Sequence, residues 1–209
     1  MSSFRLNINF TMEQLQQIKA SKKEVVLSKI NKGQLHPSLV WLSFSPMLNN
    51  KIDWDENYHI YASNSSLKTG TVLNKCSVTT KAALENHTYI LGPNCTISEP
   101  TKEGAGSGYK VIHQDQQTRV MVVGLTQDIN FNGTANEASI VLATPMTYNS
   151  HVLFNPDIKI YIGVREKVAS GMVISPEDNP NPLTEVHFSL DKRTLTVDYN
   201  SDTLQFDVQ

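Results

Sequence analysis

Apolar and polar residues alternate along most of the chain with a period of two, which is typical of half-buried β-strands. The first run shows the pattern clearly, since Phe4, Leu6, Ile8 and Phe10 share one face and polar residues occupy the other. Similar runs recur along the whole chain, short and evenly spaced between polar turns. The pattern therefore predicts an all-β protein built as an antiparallel β-sandwich.

One segment near the N-terminus has a different period. Thr11 begins the sequence Thr-Met-Glu-Gln, which places Gln14 at the N3 position of a capping box. Leu15 and Ile18 then follow at helical spacing. These features predict one short N-terminal helix over residues 12–20.

The stretch from Val40 to Leu73 holds both tryptophans and three strand-like runs. Residues 51–54 and 58–62 resemble the two arms of a β-hairpin, and the acidic sequence at 55–57 resembles its turn. We expect this hairpin to belong to the best-packed part of the fold.

Three short motifs of the first half recur in the second half in the same order. They are Phe-Ser-Pro at 44–46, Ile-Tyr at 60–61 and Gly-Thr-Val-Leu at 70–73, matched by Phe-Asn-Pro at 154–156, Ile-Tyr at 160–161 and Gly-Met-Val-Ile at 171–174. A duplicated β-unit would explain them, and so would coincidence among many strands. Both interpretations stay open.

A single domain over residues 1–209 is predicted under either interpretation. The chain has no long linker between its halves, and only three short strands follow the Pro-rich segment 175–182. Three short strands could not form an independent domain, so this segment is expected to be a loop across one end of the sandwich.

The composition indicates which kinds of partner and which cellular location to expect. The 209 residues are 39% hydrophobic and 18% charged, with a net charge of -2. This balance gives no general attraction to nucleic acid, so we expect no nucleic-acid partner. The chain has neither a run of roughly 18 apolar residues nor the apolar core of a signal peptide. These features predict a protein that is cytoplasmic, or secreted without a cleaved signal peptide.

Cys76 and Cys95 are the two cysteines of the chain. Two cysteines are too few for a metal site of their own or for a disulfide scaffold. Both lie in strand-like segments that could be neighbours, so the sequence leaves open whether they are bridged.

The sequence lacks the usual motifs of catalytic, phosphate-binding and metal sites, including Gly-x-Ser-x-Gly and His-Glu-x-x-His. The run Gly104–Gly108 precedes a strand rather than a helix, so it predicts a loop. Glu185 and His187 share one strand face, as half of an acid–base pair would, but exposed strand positions explain them equally well. We predict no catalytic residues and no cofactor, and a hydrolase has the least support.

The acidic turn also resembles the start of a calcium-binding loop. Asp53, Asp55 and Asn57 have the spacing of the first three ligands of an EF-hand, but Tyr58 replaces the glycine that its sharp turn requires. An EF-hand is therefore excluded. A looser calcium site stays open as the alternative to an exposed acidic hairpin tip; we favour the exposed tip and predict no metal site.

The same turn is the best candidate for ligand binding. Aromatic faces stack on sugars or lie at lipid headgroups, and neighbouring Asp and Asn side chains hydrogen-bond hydroxyl groups. The alternative is a set of ordinary cross-strand aromatic residues in the core. The candidate ligand-binding residues are Asp53, Trp54, Asp55, Asn57, Tyr58 and His59.

These observations favour a non-enzymatic binding protein, either lectin-like or similar to a cytolysin or toxin. Its predicted partner is a carbohydrate or a lipid headgroup of a membrane surface. The alternative is a self-associating structural, inclusion or defence protein that forms homo-oligomers.

Overall fold

The computed structural model describes residues 3–101, 106–117, 120–175 and 183–209. These residues form one α-helix, α1 (Met12–Ala20), and fifteen strands. The strands are β1 (Ser3–Asn9), β2 (Lys23–Ser28), β3 (Leu42–Phe44), β4 (Asn49–Asp55), β5 (His59–Ser63), β6 (Ser77–Val78), β7 (His87–Leu91), β8 (Tyr109–His113), β9 (Val120–Phe131), β10 (Thr134–Thr147), β11 (His151–Phe154), β12 (Ile160–Glu166), β13 (Thr184–Val186), β14 (Thr194–Asn200) and β15 (Gln205–Val208).

The strands form three sheets. The largest has the order β15-β14-β1-β4-β9-β5-β6, with β10 also paired to β9. The second sheet has the order β13-β12-β2-β3, and the third has the order β11-β8-β7. Neighbouring strands are antiparallel except for β1 with β14 and β7 with β8, which are parallel. A parallel pair needs a long crossover, and residues 10–193 lie between the end of β1 and the start of β14.

The sheets share one hydrophobic core. Leu6 of β1 and Ile52 of β4 lie in the same buried cluster as Leu27 of β2 and Ile162 of β12. Val111 of β8, in the third sheet, belongs to it as well. Side chains of facing sheets thus interdigitate as in a β-sandwich. The prediction of an all-β fold with one short helix is confirmed.

The helix has the predicted bounds because its signals are local. The side chain of Thr11 accepts a hydrogen bond from the backbone N–H of Gln14, and the side chain of Gln14 accepts one from the backbone N–H of Thr11. This reciprocal capping box satisfies two amides of the first turn. Ile18 is the buried residue of the helix, and it anchors the helix to the core.

The predicted hairpin at 51–62 is wrong. Its two arms, β4 and β5, do not pair with each other; both pair with the same edge of β9. Trp54 stands opposite Ile129 and His59 stands opposite Thr126, so residues 55–58 of one strand face only residues 127–128 of the other. The segment is therefore one long strand interrupted by an outward bulge, which we call the 55–58 bulge.

The strand pairing does not repeat between the two halves of the chain. Phe44 ends β3 in the second sheet, whereas its counterpart Phe154 ends β11 in the third. Ile60 lies in β5 of the largest sheet, whereas Ile160 begins β12 of the second. The first two motifs therefore have different strand partners in the two halves, whereas the third motif at 70–73 hydrogen-bonds to its counterpart at 171–174. Duplication and coincidence both stay open interpretations.

Cys76 and Cys95 are joined by a disulfide, which settles the question that the sequence left open. The bond ties the segment before β6 to the short 3-10 turn Pro93–Cys95.

Of the two predicted loops, residues 104–105 and 176–182 lie outside the described residues. Within the described ranges, no helix has the length and apolar character needed to cross a membrane.

Candidate functional site

The segment from Asp53 to His59 has two different faces. Trp54 and Tyr58 are buried, with 3% and 2% of their surfaces exposed. Asp53 and His59 are half-buried on the opposite face, and Asn57 is exposed. This division follows the alternation of side chains along an extended chain, and it separates the predicted site into an inner and an outer group.

The inner group begins with an aromatic cluster around Trp54. Its ring stacks on Phe4 with centroids 5.7 Å apart, and it meets Trp41 and Phe188 edge to face at 5.6 and 5.1 Å. These are the offset and perpendicular arrangements that aromatic pairs prefer. The indole N–H of Trp54 donates to Glu56 Oε1 at 2.8 Å, so its polar atom is satisfied inside the protein.

A buried lysine lies beside this cluster. Lys29 directly follows β2, and only 1% of its surface is exposed. Its Nζ lies 5.1 Å from the centroid of Trp41, 5.5 Å from that of Tyr58 and 5.6 Å from that of Trp54. All three separations are within the range of cation–π attraction.

Three oxygen atoms surround the same ammonium. Lys29 Nζ donates to Glu56 Oε1 at 2.7 Å, to the hydroxyl of Tyr58 at 3.1 Å and to Gln127 Oε1 at 3.2 Å. The Tyr58 hydroxyl in turn donates to Glu56 Oε2. We call Lys29, Glu56, Tyr58 and Gln127 the buried network. Its hydrogen bonds offset the large cost of removing a charged pair from water.

Burial sets the ionisation of this network. Removal from water lowers the pKa of Lys29, although the Glu56 carboxylate partly restores it. Burial opposes ionisation of Glu56 too, but the Lys29 ammonium and three hydrogen bonds outweigh burial and hold the pKa of Glu56 below its ordinary value. Burial raises the pKa of Tyr58 well above its ordinary value, and the Glu56 charge adds to this effect.

The outer group lines an open groove of about 270 Å³ beside the 55–58 bulge. Five of the six predicted residues line it, all except Tyr58, and strand β9 and the start of β10 supply other lining residues. The lining residues are Ser3, Asp53, Trp54, Asp55, Asn57, His59, Asp128, Ile129, Asn130 and Ala135.

Some polar atoms of the groove are already engaged. Asp53 pairs with Arg5 at 2.6 Å and with Lys51 at 3.2 Å. His59 Nδ1 donates to the carbonyl oxygen of Thr79 at 2.8 Å, because a carbonyl can only accept.

Other polar atoms of the groove remain open. One carboxylate oxygen of Asp128 accepts from the backbone N–H of Ala138, and the amide oxygen of Asn130 accepts from that of Gly133. Both side chains keep a second polar atom. Among the described residues, the side chains of Asp55 and Asn57 have no hydrogen-bond partner.

The structure thus corrects part of the predicted site. It brings Asp53, Asp55, Asn57 and His59 together on the surface, but it places the rings of Trp54 and Tyr58 in the core, where their faces contact other protein groups. Those faces cannot stack on a sugar. The prediction of an aromatic binding platform at this turn is therefore wrong.

Two other cavities lie elsewhere on the surface. One, of about 480 Å³, lies beside α1 and contains three lysines, Lys19, Lys22 and Lys23, with Leu15 and Ile18 at its apolar side. The other, of about 380 Å³, lies next to the disulfide loop and is lined by residues 77–82 and 97–100 with Leu84 and Tyr89. Neither was predicted from the sequence.

Glu185 and His187 lie on the surface. His187 Nε2 is 3.5 Å from Glu185 Oε2, and the other carboxylate oxygen of Glu185 pairs with Lys159 at 2.8 Å. Across the described ranges, no three His, Cys, Asp or Glu side chains are grouped so that they could hold a metal ion. In comparisons with known proteins, no family model, curated protein or solved structure matches this chain.

Proposed function

We propose that this protein is a non-enzymatic, lectin-like binding protein and that the groove beside the 55–58 bulge holds one sugar ring. The observation that carries the proposal is the set of open polar atoms on Asp55, Asn57, Asp128 and Asn130 around one concave surface. A groove of about 270 Å³ lies just below the range of roughly 300–1,000 Å³ for drug-sized ligands, so it suits a single ring.

The chemistry of the lining favours a neutral polyhydroxylated ligand. Carboxylates accept hydrogen bonds from sugar hydroxyls, and amide groups both accept and donate. The exposed Ala135 adds a small apolar surface against which the C–H face of a sugar could lie. Anionic lipid headgroups fit this groove poorly, because Asp55 and Asp128 would repel a phosphate.

A glycan array tests the proposal directly. We expect the wild-type protein to bind one class of sugar, and the double variant Asp55→Ala, Asn57→Ala to bind it at least about tenfold more weakly, which corresponds to the loss of roughly 1.4 kcal/mol of binding free energy. Titration calorimetry with the corresponding monosaccharide measures the difference.

Asp202→Ala provides the matched control. Asp202 is an exposed aspartate in the turn after β14 and does not line the groove. This variant should bind like the wild type. Absence of glycan binding by the wild type, or equal binding by a folded groove variant, would contradict the proposal.

The disulfide bears on where the protein works. Disulfides persist in oxidising compartments and are rare in the cytosol. Of the two predicted locations, the Cys76–Cys95 bond favours the one outside the cytoplasm. A thiol assay on protein isolated from its source under denaturing, non-reducing conditions should therefore find no free thiol.

A membrane surface is the second candidate partner, and the cavity beside α1 supports it. Three lysines, Lys19, Lys22 and Lys23, outnumber the one carboxylate, Glu24, in the lining of this cavity, and the apolar Leu15 and Ile18 lie beside them. An anionic headgroup would require such an excess of positive charge. Liposomes with and without phosphatidylserine test this candidate. Binding that needs the anionic lipid and is lost on charge reversal at Lys19 and Lys22 would support it, and equal binding to both liposomes would contradict it.

A further inference from the structure

The buried network contains the parts of a covalent reaction that the proposed binding function does not use. Lys29 Nζ lies 2.7 Å from Glu56 Oε1 and 3.2 Å from the amide oxygen of Gln127. The amide nitrogen of Gln127 lies 3.4 Å from the same Glu56 oxygen. Glu56 Oε1 is therefore close to two nitrogens: the amine of Lys29, which could attack the amide carbon of Gln127, and the amide nitrogen of Gln127, which would leave that carbon as ammonia.

Buried side chains enclose the amine of Lys29 and exclude water. Lys29 is 1% exposed and Gln127 is 0% exposed. The rings of Trp41, Trp54 and Tyr58 lie 5.1, 5.6 and 5.5 Å from Nζ. Burial lowers the pKa of Lys29, which increases the fraction of nucleophilic amine. Without water, an acyl group at Gln127 has no competing hydrolysis.

Two hydrogen bonds hold the Gln127 amide in a fixed orientation. Its nitrogen donates to the backbone oxygen of Asp55 at 2.7 Å, while its oxygen accepts from Lys29. The Lys29 contact places Nζ beside the amide group, and loss of one proton frees its lone pair for attack on Cδ. The amide is thus positioned beside the amine by groups already in contact with it.

We propose that Lys29 and Gln127 form an intramolecular isopeptide bond, with Glu56 as the proton carrier. Glu56 takes one proton from the Lys29 ammonium, and the neutral Nζ attacks Cδ of Gln127, forming the new C–N bond. Glu56 gives its proton to Nε2 and takes the second proton from Nζ as the Cδ–Nε2 bond breaks. Ammonia leaves and takes that proton as ammonium, so Glu56 returns to a carboxylate. The reaction needs no oxidant, reductant or other reactant.

The bond would join two sheets across the core. Lys29 follows β2 of the four-stranded sheet, and Gln127 lies in β9 of the largest sheet, 98 residues away in the sequence. It would thus link parts of the chain that the Cys76–Cys95 disulfide does not connect, and it would persist under reducing conditions.

The mass of the intact wild-type protein is the primary test. After reduction and alkylation of both cysteines, we expect a mass lower than the calculated value by one ammonia molecule. Trypsin should then release residues 24–32, uncleaved at Lys29, joined to residues 120–159. This joined peptide distinguishes the isopeptide bond from cyclisation at Asn132-Gly133, which also releases ammonia but links no peptides.

Variants of Lys29 and Glu56 test the role of each residue in the proposed reaction. Glu56→Gln keeps the shape of the side chain but removes the proton carrier, and Lys29→Met removes the amine, so both should show the full calculated mass. Lys159→Met is the matched control, because Lys159 also contacts a glutamate, Glu185, at 2.8 Å but lies on the surface. This control should keep the mass deficit.

Each result decides the proposal. A wild-type protein with the full calculated mass and ordinary tryptic peptides would mean that Lys29 forms only an ion pair, and the proposal would be overturned even if the variants do not fold. A deficit that survives in Glu56→Gln would overturn the role of Glu56. Glycan binding does not enter this test, so the two proposals fail independently.

Discussion

The two faces of the 53–59 segment contain similar residue types but differ in what their polar atoms contact. On the inner face, Glu56 accepts hydrogen bonds from Lys29, Trp54 and Tyr58. On the outer face, the Asp55 carboxylate has no partner among the described residues. We therefore expect a carboxylate in this segment to stabilise the fold where it is enclosed and to be accessible to a ligand where it faces solvent.

The bulge produces this difference. A regular strand of the same length would place residues 55–58 opposite four residues of β9, whereas they face only residues 127–128. Asp55 and Asn57 form one wall of the groove, while the carboxylate of Glu56 lies against Lys29. Mutations on the two faces should therefore affect different properties of the protein, stability on one and binding on the other.

The largest effect is expected from Glu56→Ala. It would leave the Lys29 ammonium buried without its carboxylate, or prevent the proposed bond, and removal of one partner of a buried ion pair costs about 3–5 kcal/mol. Urea denaturation measures the loss in the free energy of unfolding.

Glu185→Ala is the control for this variant. Glu185 pairs with Lys159 on the surface, where solvent screens the interaction, so the change in stability should be much smaller. Equal losses in the two variants would mean that the inner face is no more important for stability than an exposed pair.

A smaller effect is expected from Tyr58→Phe, which removes the hydroxyl between Lys29 and Glu56. The loss should be about 1–3 kcal/mol at neutral pH, the cost of leaving buried partners unsatisfied. The variant should also respond less to alkaline pH. Because burial raises the pKa of Tyr58 in the folded state, the unfolded chain ionises first, and wild-type stability falls as the pH rises through the ordinary value of 10.0.

Denaturation curves between neutral pH and strongly alkaline pH measure this dependence. Tyr148→Phe is the matched control, since Tyr148 is 44% exposed, and its alkaline curve should follow that of the wild type. If Tyr58→Phe loses stability with rising pH as steeply as the wild type, Tyr58 is not protected from ionisation.

The smallest effect on stability is expected from the outer face. Asp55→Asn and Asn57→Ala remove no contact with a described side chain, so the free energy of unfolding should change by no more than about 0.5 kcal/mol. Urea denaturation of each variant beside the wild type checks this. A loss as large as that of Tyr58→Phe would show that the groove residues are structural and would remove the contrast between the faces.

Part of the candidate site was predictable from sequence. Asp53, Asp55, Asn57 and His59 occupy every second position of an extended segment, and alternation places them on one face. The inner network was missed because Glu56 resembled the tip of an exposed turn. The sequence contained one signal, because Lys29 ends the mostly apolar run Val-Val-Leu-Ser-Lys and is followed by Ile30. In the structure, residues 25–30 are all buried. A lysine within such a run is a candidate for burial with a partner.

The sequence alone determined the features that depend on near neighbours. The helix over residues 12–20 follows from a capping box whose two members are three residues apart, and the face of β1 follows from alternation within seven residues. The predominance of strands follows from the same short-range period.

Only the tertiary structure decided the features that depend on distant pairing. Strand β9 pairs with both β4 and β5, so the segment expected to be a hairpin is a bulged strand instead. A local sequence pattern cannot identify a strand partner about 70 residues away. The contacts between Lys29, Glu56 and Gln127 and the Cys76–Cys95 bond likewise depend on how the sheets and loops pack. Short-range periodicity selects strands and their faces, but loop closure and core packing choose which strands become neighbours.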